Sequence, residues 1–448
     1  MMKKEKMCLL GLLPALTVPM TLPCLAGNNA ELPPNIIVVL TDDMGYGDIG
    51  IYGGKFIPTP NIDRMAEEGS RFNQYYSASP ISSPSRCGLL TGMYPGKWHI
   101  TTYLQGKAGN KAAEMADYLD PSAPTLPKVM KNAGYKTGHF GKWHLGGGRD
   151  VRNAPPFVAY GYDEYCSTYE SPQPDSLLTA TDWIWSPQDS VKRWNRTAYF
   201  VDKTLAFLER HRGEACFVNL WPDDMHTPWV GNFEQQQVFP DGQESEKNFR
   251  VVLAEYDRQI GRLLREIKNM NLENNTIVIF TSDNGPAPSF KASLFEGGIH
   301  MPFIIWDTKG EIPSGKTDDT TVVSALDLYK SLSSLAGIKL PADCKSDGMD
   351  MSAALKGVPQ ERREPLFWEY RRNESKAFPR PADKDVSPAI AVRYGKWKLL
   401  VDKDSTNVLL YDLEDNLREN VDLSKKHPQV ASRLSKLALE WWNSLPEF

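Results

Sequence analysis

The sequence predicts an α/β fold in which a large sheet is flanked by helices and followed by a small C-terminal α+β subdomain. Residues 35–40 and 275–280 are continuous runs of β-branched and other apolar residues, the pattern of strands buried on both faces of a sheet. Residues 248–270 carry apolar side chains at helical spacing, which is typical of an amphipathic helix laid on that sheet. After residue 365 short alternating segments lead to an amphipathic helix at 430–445, which predicts a small antiparallel sheet covered by a helix.

Further elements follow from the same rules. A proline at the start and a glycine at the end predict a helix at residues 60–69. Apolar runs predict strands at 215–220 and 302–306, and residues 322–336 are expected to form one helix. Helices and strands therefore alternate along most of the chain, as an α/β fold requires.

Composition limits the classes of partner. The chain has 448 residues, enough for one large domain and a smaller one, and 41% of them are hydrophobic, enough for a buried core. A formal net charge of -5 gives no basic field and argues against a nucleic-acid partner. Any anion would have to be bound by a local cluster of cations.

The N-terminus has the pattern of a secretory signal peptide at residues 1–26. Three lysines precede an apolar run at residues 8–25, which is interrupted by prolines and too short for a permanent membrane helix, and no later segment could span a bilayer. We therefore expect export to the periplasm. The alternatives are extracellular release and a lipid anchor at Cys24, which Pro23 directly before it disfavours.

The mature chain is predicted to divide into a large domain at residues 27–360 and a C-terminal subdomain at 361–448. Four cysteines remain after removal of the signal peptide, and they have neither a disulfide framework nor a metal-binding spacing. We expect mostly free, buried thiols.

Two pairs of oxygen-bearing side chains follow the two buried strands. Asp42 and Asp43 come after the first strand, and Asp283 and Asn284 come after the second. Ligands bind at the carboxyl ends of strands in open α/β sheets, so both pairs are candidate metal ligands. Carboxylates and an amide without His or Cys favour Ca²⁺ or Mg²⁺ over Zn²⁺. An Asp-Asp pair on its own is more often a turn or a helix cap.

The run SSPSRCGLLTG at residues 82–92 predicts a hydroxyl-rich turn that opens a short helix. A helix N-terminus offers unpaired N–H groups and the positive end of a dipole, and Arg86 adds a fixed cation one turn in. The site suits a tetrahedral anion. By local chemistry alone, an ordinary N-cap and turn is at least as good an interpretation.

This run resembles the type I sulfatase signature C/S-x-P-S-R-x-x-x-L-T-G and matches it at every fixed position. The resemblance implies an alkaline-phosphatase-like fold with a large central mixed sheet. It also implies that Ser82 is oxidised after translation to formylglycine, whose hydrated aldehyde is the nucleophile. A serine at this position resembles the Ser-type bacterial members, which are matured by an anaerobic sulfatase-maturating enzyme.

Other stretches resemble further motifs of the same family. GYKTGHFGKWH at residues 134–144 is similar to the second signature, by which Lys142 contacts the nucleophile and sulfate and His144 assists formylglycine. His226 before Thr-Pro matches a histidine that binds sulfate or protonates the leaving oxygen. Lys291, followed by Glu-Gly-Gly at 296–298, matches a sulfate ligand that holds leaving-group charge.

The resemblance also implies one calcium ion beside residue 82 and a mechanism in two steps. The calcium ligands would be Asp42, Asp43, Asp283 and Asn284, together with residue 82. The hydrated aldehyde would attack sulfur in line while His226 and Lys291 stabilise or protonate the departing alcohol. The sulfated diol would then release sulfate with His144 as base. Arg86 and Lys142 would offset the charge on the transferring group.

Substrate-binding residues are less clearly marked. The flexible loop at residues 146–150 could carry Arg149 and Asp150 to the rim of a pocket, although a solvated loop is an equal alternative. Asp223 and Asp224 precede His226 and are candidates for binding sugar hydroxyls, and His99 is a candidate for the pocket wall. Aromatic residues near the motifs favour a sulfated glycan or glycosaminoglycan-type sugar attacked at a chain end.

Two other functions are compatible with parts of this pattern. A phosphatase or phosphodiesterase of the same superfamily would use unmodified Ser82, but its two-zinc forms need several histidine ligands, and the seven histidines here have no paired metal spacing. A catalytically silent glycan-binding protein would be expected to have lost some motif positions, and all are present.

Overall fold

In the computed structural model of the chain, the described residues are 32–232, 245–272, 275–287, 289–307, 309–373 and 375–448. The predicted signal peptide lies outside them. The strands are β1 (Asn35–Thr41), β2 (Ser70–Tyr76), β3 (Lys136–Gly141), β4 (Glu164–Ser167), β5 (Cys216–Trp221), β6 (Thr276–Ser282), β7 (His300–Asp307), β8 (Lys316–Asp318), β9 (Val323–Ser324), β10 (Leu366–Glu369), β11 (Ile390–Tyr394), β12 (Trp397–Val401) and β13 (Leu409–Asp412).

Helices cover both the large sheet and the small one. They are α1 (Pro60–Glu68), α2 (Ser82–Thr91), α3 (Lys107–Ala112), α4 (Leu126–Asn132), α5 (Arg196–Arg210), α6 (Glu246–Asn269), α7 (Glu296–Ile299), α8 (Leu328–Leu335), α9 (Ser352–Leu355) and α10 (Pro428–Asn443). The long helix α6 matches the predicted amphipathic helix, and the side chain of Ser245 caps its start by accepting a hydrogen bond from the Asn248 amide.

Within the described residues, nine strands form a mixed sheet in the order β4-β3-β5-β1-β6-β7-β2-β8, with β9 also paired to β2. β1 lies between β5 and β6 and is parallel to both, whereas β7 runs antiparallel to β6 and β2. The register pairs Thr41 with Ser282, so β1 and β6 end side by side. The predicted α/β class and the mixed central sheet are confirmed.

The alternation of side chains on β1 explains why its sequence is apolar from Ile36 to Leu40. Ile36 and Val38 pack into one buried cluster, and Ile37 and Val39 pack into a second cluster on the opposite face. A strand covered on both faces has no position at which a polar residue would be solvated. The apolar run therefore predicted the central position of this strand correctly.

The C-terminal region forms a second sheet, antiparallel, in the order β10-β11-β12-β13. α10 packs against β11 and β12, as predicted. This sheet begins at Leu366, close to the predicted start of the subdomain, but the boundary at residue 360 itself stays a prediction.

One predicted helix is wrong in its extent. Residues 322–336 form the short strand β9, a 3-10 turn at Ala325–Asp327 and then α8. The Ser324 hydroxyl accepts a hydrogen bond from the Leu326 amide, and the Asp327 carboxylate accepts one from the Ser324 amide, so both side chains stop a helix from starting earlier. The four cysteines at 87, 166, 216 and 344 are free thiols, as expected. Among the described helices, none has the length and apolar character needed to cross a membrane.

Candidate active site

The carboxyl ends of β1 and β6 bring the two predicted acidic segments together. Asp42, Asp43 and Asp283 are at most 3% exposed, and the Asp43 amide donates a hydrogen bond of 3.0 Å to Asp283 Oδ1. Asp43 has a φ of 62°, in the left-handed region, which turns the chain sharply at the end of β1. The parallel pairing of β1 with β6 therefore joins residues that lie far apart in the sequence.

Ser82 is the first residue of α2, and every residue of this helix is buried. Its hydroxyl lies 2.8 Å from Asp283 Oδ2 and 3.1 Å from Asp42 Oδ1. The hydroxyl therefore sits between carboxylates from two neighbouring strands.

Two cations neutralise part of this negative charge. Lys142, directly after β3, donates to Asp42 Oδ2 at 2.8 Å and approaches the Ser82 hydroxyl at 3.4 Å. The fully buried Arg86 donates to Asp283 at 2.9 Å and to Asp42 at 3.2 Å. Burial opposes ionisation of Asp42, but the cations Lys142 and Arg86 hold the pKa of this carboxyl well below its usual value.

His226 and Lys291 lie on the other side of Asp43. The Lys291 ammonium donates to Asp43 Oδ2 at 2.7 Å and to His226 Nε2 at 3.0 Å. An ammonium group can only donate, so Nε2 accepts and Nδ1 carries the ring proton, which points to the Thr227 carbonyl at 2.5 Å. Burial and Lys291 both lower the pKa of His226. The pair holds one mobile proton close to the cavity.

The donor set fits one hard divalent cation. Oxygen atoms of Asp42, Asp43 and Asp283 lie within 4.8 Å of one another. Asn284 donates through Nδ2 to Asp43 Oδ1 at 2.7 Å, while its Oδ1 is buried without a hydrogen-bond partner among the described atoms. Burial raises the pKa of Asp283 to about 7 against the effect of Arg86, and Asp42 and Asp43 add to the increase. An unpaired amide oxygen beside three buried carboxylates is what a Ca²⁺ site offers.

His144 follows β3 closely and is held in the left-handed region at φ 53°. Its Nε2 lies 3.1 Å from the Leu104 carbonyl oxygen and 3.4 Å from Glu170 Oε2. Burial lowers the pKa of His144 to about 3, although Glu170 acts in the opposite direction. The ring is therefore neutral at ordinary pH and has a lone pair on one of its two nitrogens.

These groups border a cavity of about 280 Å³. Its lining is Asp42, Ile81, Ser82, Tyr103, Lys142, His144, Arg149, Thr168, Glu170, Ile184, Arg193, Asp223, His226, Lys291 and Pro379. The cavity thus joins the motif residues Asp42, Ser82, Lys142, His144, His226 and Lys291 to a wall made of loop residues, whereas Asp43, Asp283 and Asn284 are not part of its lining.

The predicted substrate residues do not all reach this cavity. Arg149 and Asp223 line it, whereas His99, Asp150 and Asp224 are not part of its lining. The carboxylates of Asp150 and Asp224 accept hydrogen bonds from the Lys107 and Thr197 amides, at 2.8 and 3.0 Å. The His99 ring packs against Phe448, with ring centroids 5.5 Å apart.

Two residues of the site had no signal in the sequence. Arg193 pairs with the Asp223 carboxylate and donates to the His226 carbonyl oxygen at 2.8 Å. Glu170 contacts both His144 and Arg149. Neither residue belongs to a sequence motif. Charged residues of these types usually lie on the protein surface, and only the fold shows that these two are buried at the site.

A buried hydroxyl among carboxylates, flanked by cations and two neutral histidines, suits transfer of a tetrahedral anionic group. The comparisons with known proteins agree with this chemistry. The family model for sulfatases matches residues 34–338. That span is most of the chain, so the protein belongs to the sulfatase family, within the alkaline-phosphatase-like superfamily, and is a sulfuric ester hydrolase.

Relatives and solved structures cover most of the chain. It is 32% identical to N-acetylgalactosamine-6-sulfatase of Mus musculus, over 77% of this chain and 70% of that protein. It is 28% identical to N-acetylgalactosamine-6-O-sulfatase of Bacteroides thetaiotaomicron, over 92% of this chain and 93% of that protein. The crystal structure of Ps i-CgsB in complex with k-i-k-neocarrahexaose superimposes with a TM-score of 0.75 at 26% identity, covering 93% and 94% of the two chains.

Proposed function

We propose that the protein is an exported sulfatase that removes sulfate from a sugar at the chain end of a sulfated glycan. The observation that carries the proposal is the position of Ser82, whose hydroxyl lies between Asp42 and Asp283 where the cavity reaches the sheet edge. Relatives named for N-acetylgalactosamine 6-sulfate support a carbohydrate substrate. A cavity of about 280 Å³ suits one terminal sugar with its sulfate.

The proposal includes two groups that the residues of the site fit. Formylglycine made from Ser82 by a maturating enzyme would supply a geminal diol as the nucleophile. Calcium held by Asp42, Asp43, Asp283, Asn284 and residue 82 would supply positive charge that favours an ionised hydroxyl and offsets the charge of sulfate.

Lys142 is proposed to bind and orient the transferring sulfate group, and Lys142 and Arg86 are both proposed to offset its charge. Lys142 is close to both Ser82 and the cavity, so its ammonium can reach a sulfate oxygen without moving away from the nucleophile. Arg86 is fully buried, and its ion pairs with Asp42 and Asp283 fix these two carboxylates in place. Fixed charges of this kind cost no reorganisation when negative charge develops during the reaction.

Lys291 and His226 are proposed to serve the departing alcohol. An alkoxide is a poor leaving group, so the bridging oxygen needs a proton as the S–O bond breaks. The Lys291 ammonium and His226 Nε2 share one proton across 3.0 Å, and both groups line the cavity. The pair can deliver this proton to the sugar oxygen and recover it from water.

His144 is proposed to take up the proton that must leave residue 82 in the step that releases sulfate. Its ring is neutral and lines the cavity together with Ser82. The proposal also includes export to the periplasm through a leader at residues 1–26 and a domain division at residue 360.

The test is peptide mass spectrometry across Ser82 on protein from an anaerobic native-like host, combined with sulfate release from sulfated monosaccharides. We expect a loss of two hydrogens at Ser82, and release from a sugar such as N-acetylgalactosamine 6-sulfate. The Ser82→Ala variant is the control and should release none. Unmodified Ser82 in active protein would contradict the formylglycine mechanism and favour a phosphatase that uses the serine hydroxyl.

A further inference from the structure

The position of the proton on His144 follows from its contacts. A carbonyl oxygen can only accept a hydrogen bond, so the 3.1 Å contact with Leu104 requires the proton on Nε2. Glu170 Oε2, at 3.4 Å from the same nitrogen, favours this proton as well. Nδ1 is then the nitrogen with the free lone pair, and among the described atoms it is buried without a partner.

Glu170 is itself held firmly. Arg149 donates to Glu170 Oε1 at 2.7 Å, and the Glu170 side chain is only 9% exposed. The His144 amide also donates to the Glu170 carbonyl oxygen at 3.0 Å, so backbone and side chain of the two residues are both in contact. Gly147 allows the segment after His144 to approach the segment after Glu170 closely. A Cβ at this position, with φ 95°, would lie 2.3 Å from the Ser171 backbone.

We propose that Glu170 is a positioning residue that, together with the Leu104 carbonyl oxygen, holds His144 as the Nε2–H tautomer and leaves Nδ1 as the nitrogen that acts as the base. This proposal rests on the proposed function, in which His144 accepts a proton from residue 82. The proton moves from the hydroxyl group to Nδ1, the proton on Nε2 stays in place, and the imidazolium that forms has the Glu170 carboxylate beside it. The arrangement is a His-carboxylate pair of the kind that orients a general base.

The surrounding charges show why a carboxylate is needed. Lys142 and Arg86 both oppose a positive charge on His144, and Glu170 and the more distant Asp42 favour it. Burial opposes ionisation of Glu170, but His144, Lys142 and Arg149 hold its pKa below the usual value. Without Glu170, the protonated base would lie among cations in a buried site.

The first experiment uses nitrogen NMR of histidine-labelled protein with unmodified Ser82, so its result does not depend on maturation or on sulfatase activity. The His144 signals are assigned by their loss in His144→Gln. We expect wild-type His144 to be neutral with the proton on Nε2 at pH 7. In Glu170→Gln, the amide can donate to Nε2 in competition with the Nε2–H donation to the Leu104 carbonyl oxygen, and we expect the Nδ1–H tautomer to become detectable beside the Nε2–H form. An Nδ1–H tautomer in the wild type would overturn the proposal even if the variant fails to fold.

The second experiment measures steady-state kinetics of the matured enzyme with a sulfated sugar. We expect Glu170→Gln to lower kcat by about 10–100-fold while KM stays within about twofold, the size typical of residues that orient a ligating or catalytic side chain. The matched control is Glu369→Gln, which changes another buried glutamate. Glu369 lies in β10 and accepts a hydrogen bond from the Trp442 indole, and its substitution should leave kcat unchanged.

Two outcomes of these experiments contradict the proposal. Unchanged nitrogen shifts together with an unchanged kcat in Glu170→Gln would show that the carboxylate does not act on His144. A large increase in KM with unchanged nitrogen shifts would make Glu170 a direct substrate ligand instead. If the NMR result is as expected but no variant releases sulfate, the proposed function fails while the tautomer assignment stands.

Discussion

The cavity has two sides that are built differently. The charged floor consists of residues that directly follow a strand or begin a helix, namely Asp42, Asp43, Ser82, Lys142 and Asp283. The outer wall consists of residues in connecting segments, namely Tyr103, Arg149, Ile184 and Pro379. In the floor, every side chain is held at hydrogen-bond distance by another polar or charged side chain of the site. The wall instead combines aromatic, aliphatic and charged groups from separate loops.

This difference separates reaction chemistry from recognition. Strand ends and a helix start are fixed by the packing of the sheet, so groups placed there hold their geometry to the precision that bond breaking requires. Loops can change sequence without disturbing the sheet, so they can adapt to different sugars. The floor should therefore determine whether sulfate is released, and the wall should determine from which molecule.

The largest expected effect comes from disrupting the proposed calcium site of the floor. We expect Asp283→Asn to lower kcat/KM by about 10³-fold, because a bound cation contributes several kcal/mol to the stabilisation of developing charge. In the wild type, a chelator should lower Tm and activity, and Ca²⁺ should restore both. Calcium at about 100 times its Kd would stabilise the fold by about 2.7 kcal/mol.

The matched control for this prediction is Asp202→Asn, which removes an exposed carboxylate paired with Arg262. This variant should keep both the activity and the rise of Tm with Ca²⁺. A wild-type protein whose Tm and activity respond neither to chelation nor to Ca²⁺ would show that the floor works without a divalent cation. The difference between floor and wall could then not be explained by a bound cation.

The second effect concerns His226, whose ring contacts Lys291 and whose carbonyl oxygen contacts Arg193. We expect His226→Gln to lower kcat by about 10²-fold on a sugar sulfate. The loss on 4-nitrophenyl sulfate should be much smaller, because nitrophenolate leaves without a proton. His211→Gln, at the end of α5, is the control and should behave as the wild type. Equal losses on both substrates would contradict a role in protonating the alcohol.

The floor could be predicted from the sequence for a physical reason. Buried parallel strands must be apolar, so their ends are visible as the points where polar residues begin, and parallel neighbours end at the same edge. Asp42 and Asp283 could therefore be expected to lie together although their separation along the chain is large. The resemblance to sulfatase motifs added Lys142, His226 and Lys291, and these three residues line one cavity together with Asp42.

The wall could not be predicted in the same way, because loop positions depend on contacts that no periodicity records. Asp223 was expected to face sugar hydroxyls, yet its carboxylate is paired with Arg193 and Arg196. The partners of Glu170 likewise come from loops. A similar limit explains why the helix predicted at residues 322–336 was too long. Ser324 and Asp327 hydrogen-bond to the local backbone, so the first residues of this apolar segment form a strand and a turn instead of a helix.

The smallest expected effect lies in the wall itself. Tyr103 lines the cavity, and its ring centre lies 6.2 Å from that of His144. We expect Tyr103→Ala to raise KM for a sulfated sugar by about 5–10-fold with kcat unchanged, because aromatic contacts contribute about 0.5–1.5 kcal/mol. Tyr103→Phe should keep a KM close to the wild-type value, because the phenyl ring still stacks on the sugar. The KM for 4-nitrophenyl sulfate should change less than the KM for the sulfated sugar.

The matched control is Tyr394→Ala, which removes an exposed aromatic ring on β11 and should leave both kinetic constants unchanged. Steady-state kinetics on the two substrates separate the possible results. A fall in kcat at constant KM in Tyr103→Ala would place the tyrosine with His144 in the chemistry rather than in recognition. The separation of chemistry in the floor from recognition in the wall would then fail at Tyr103. A residue outside any helix or strand would contribute to the catalytic geometry.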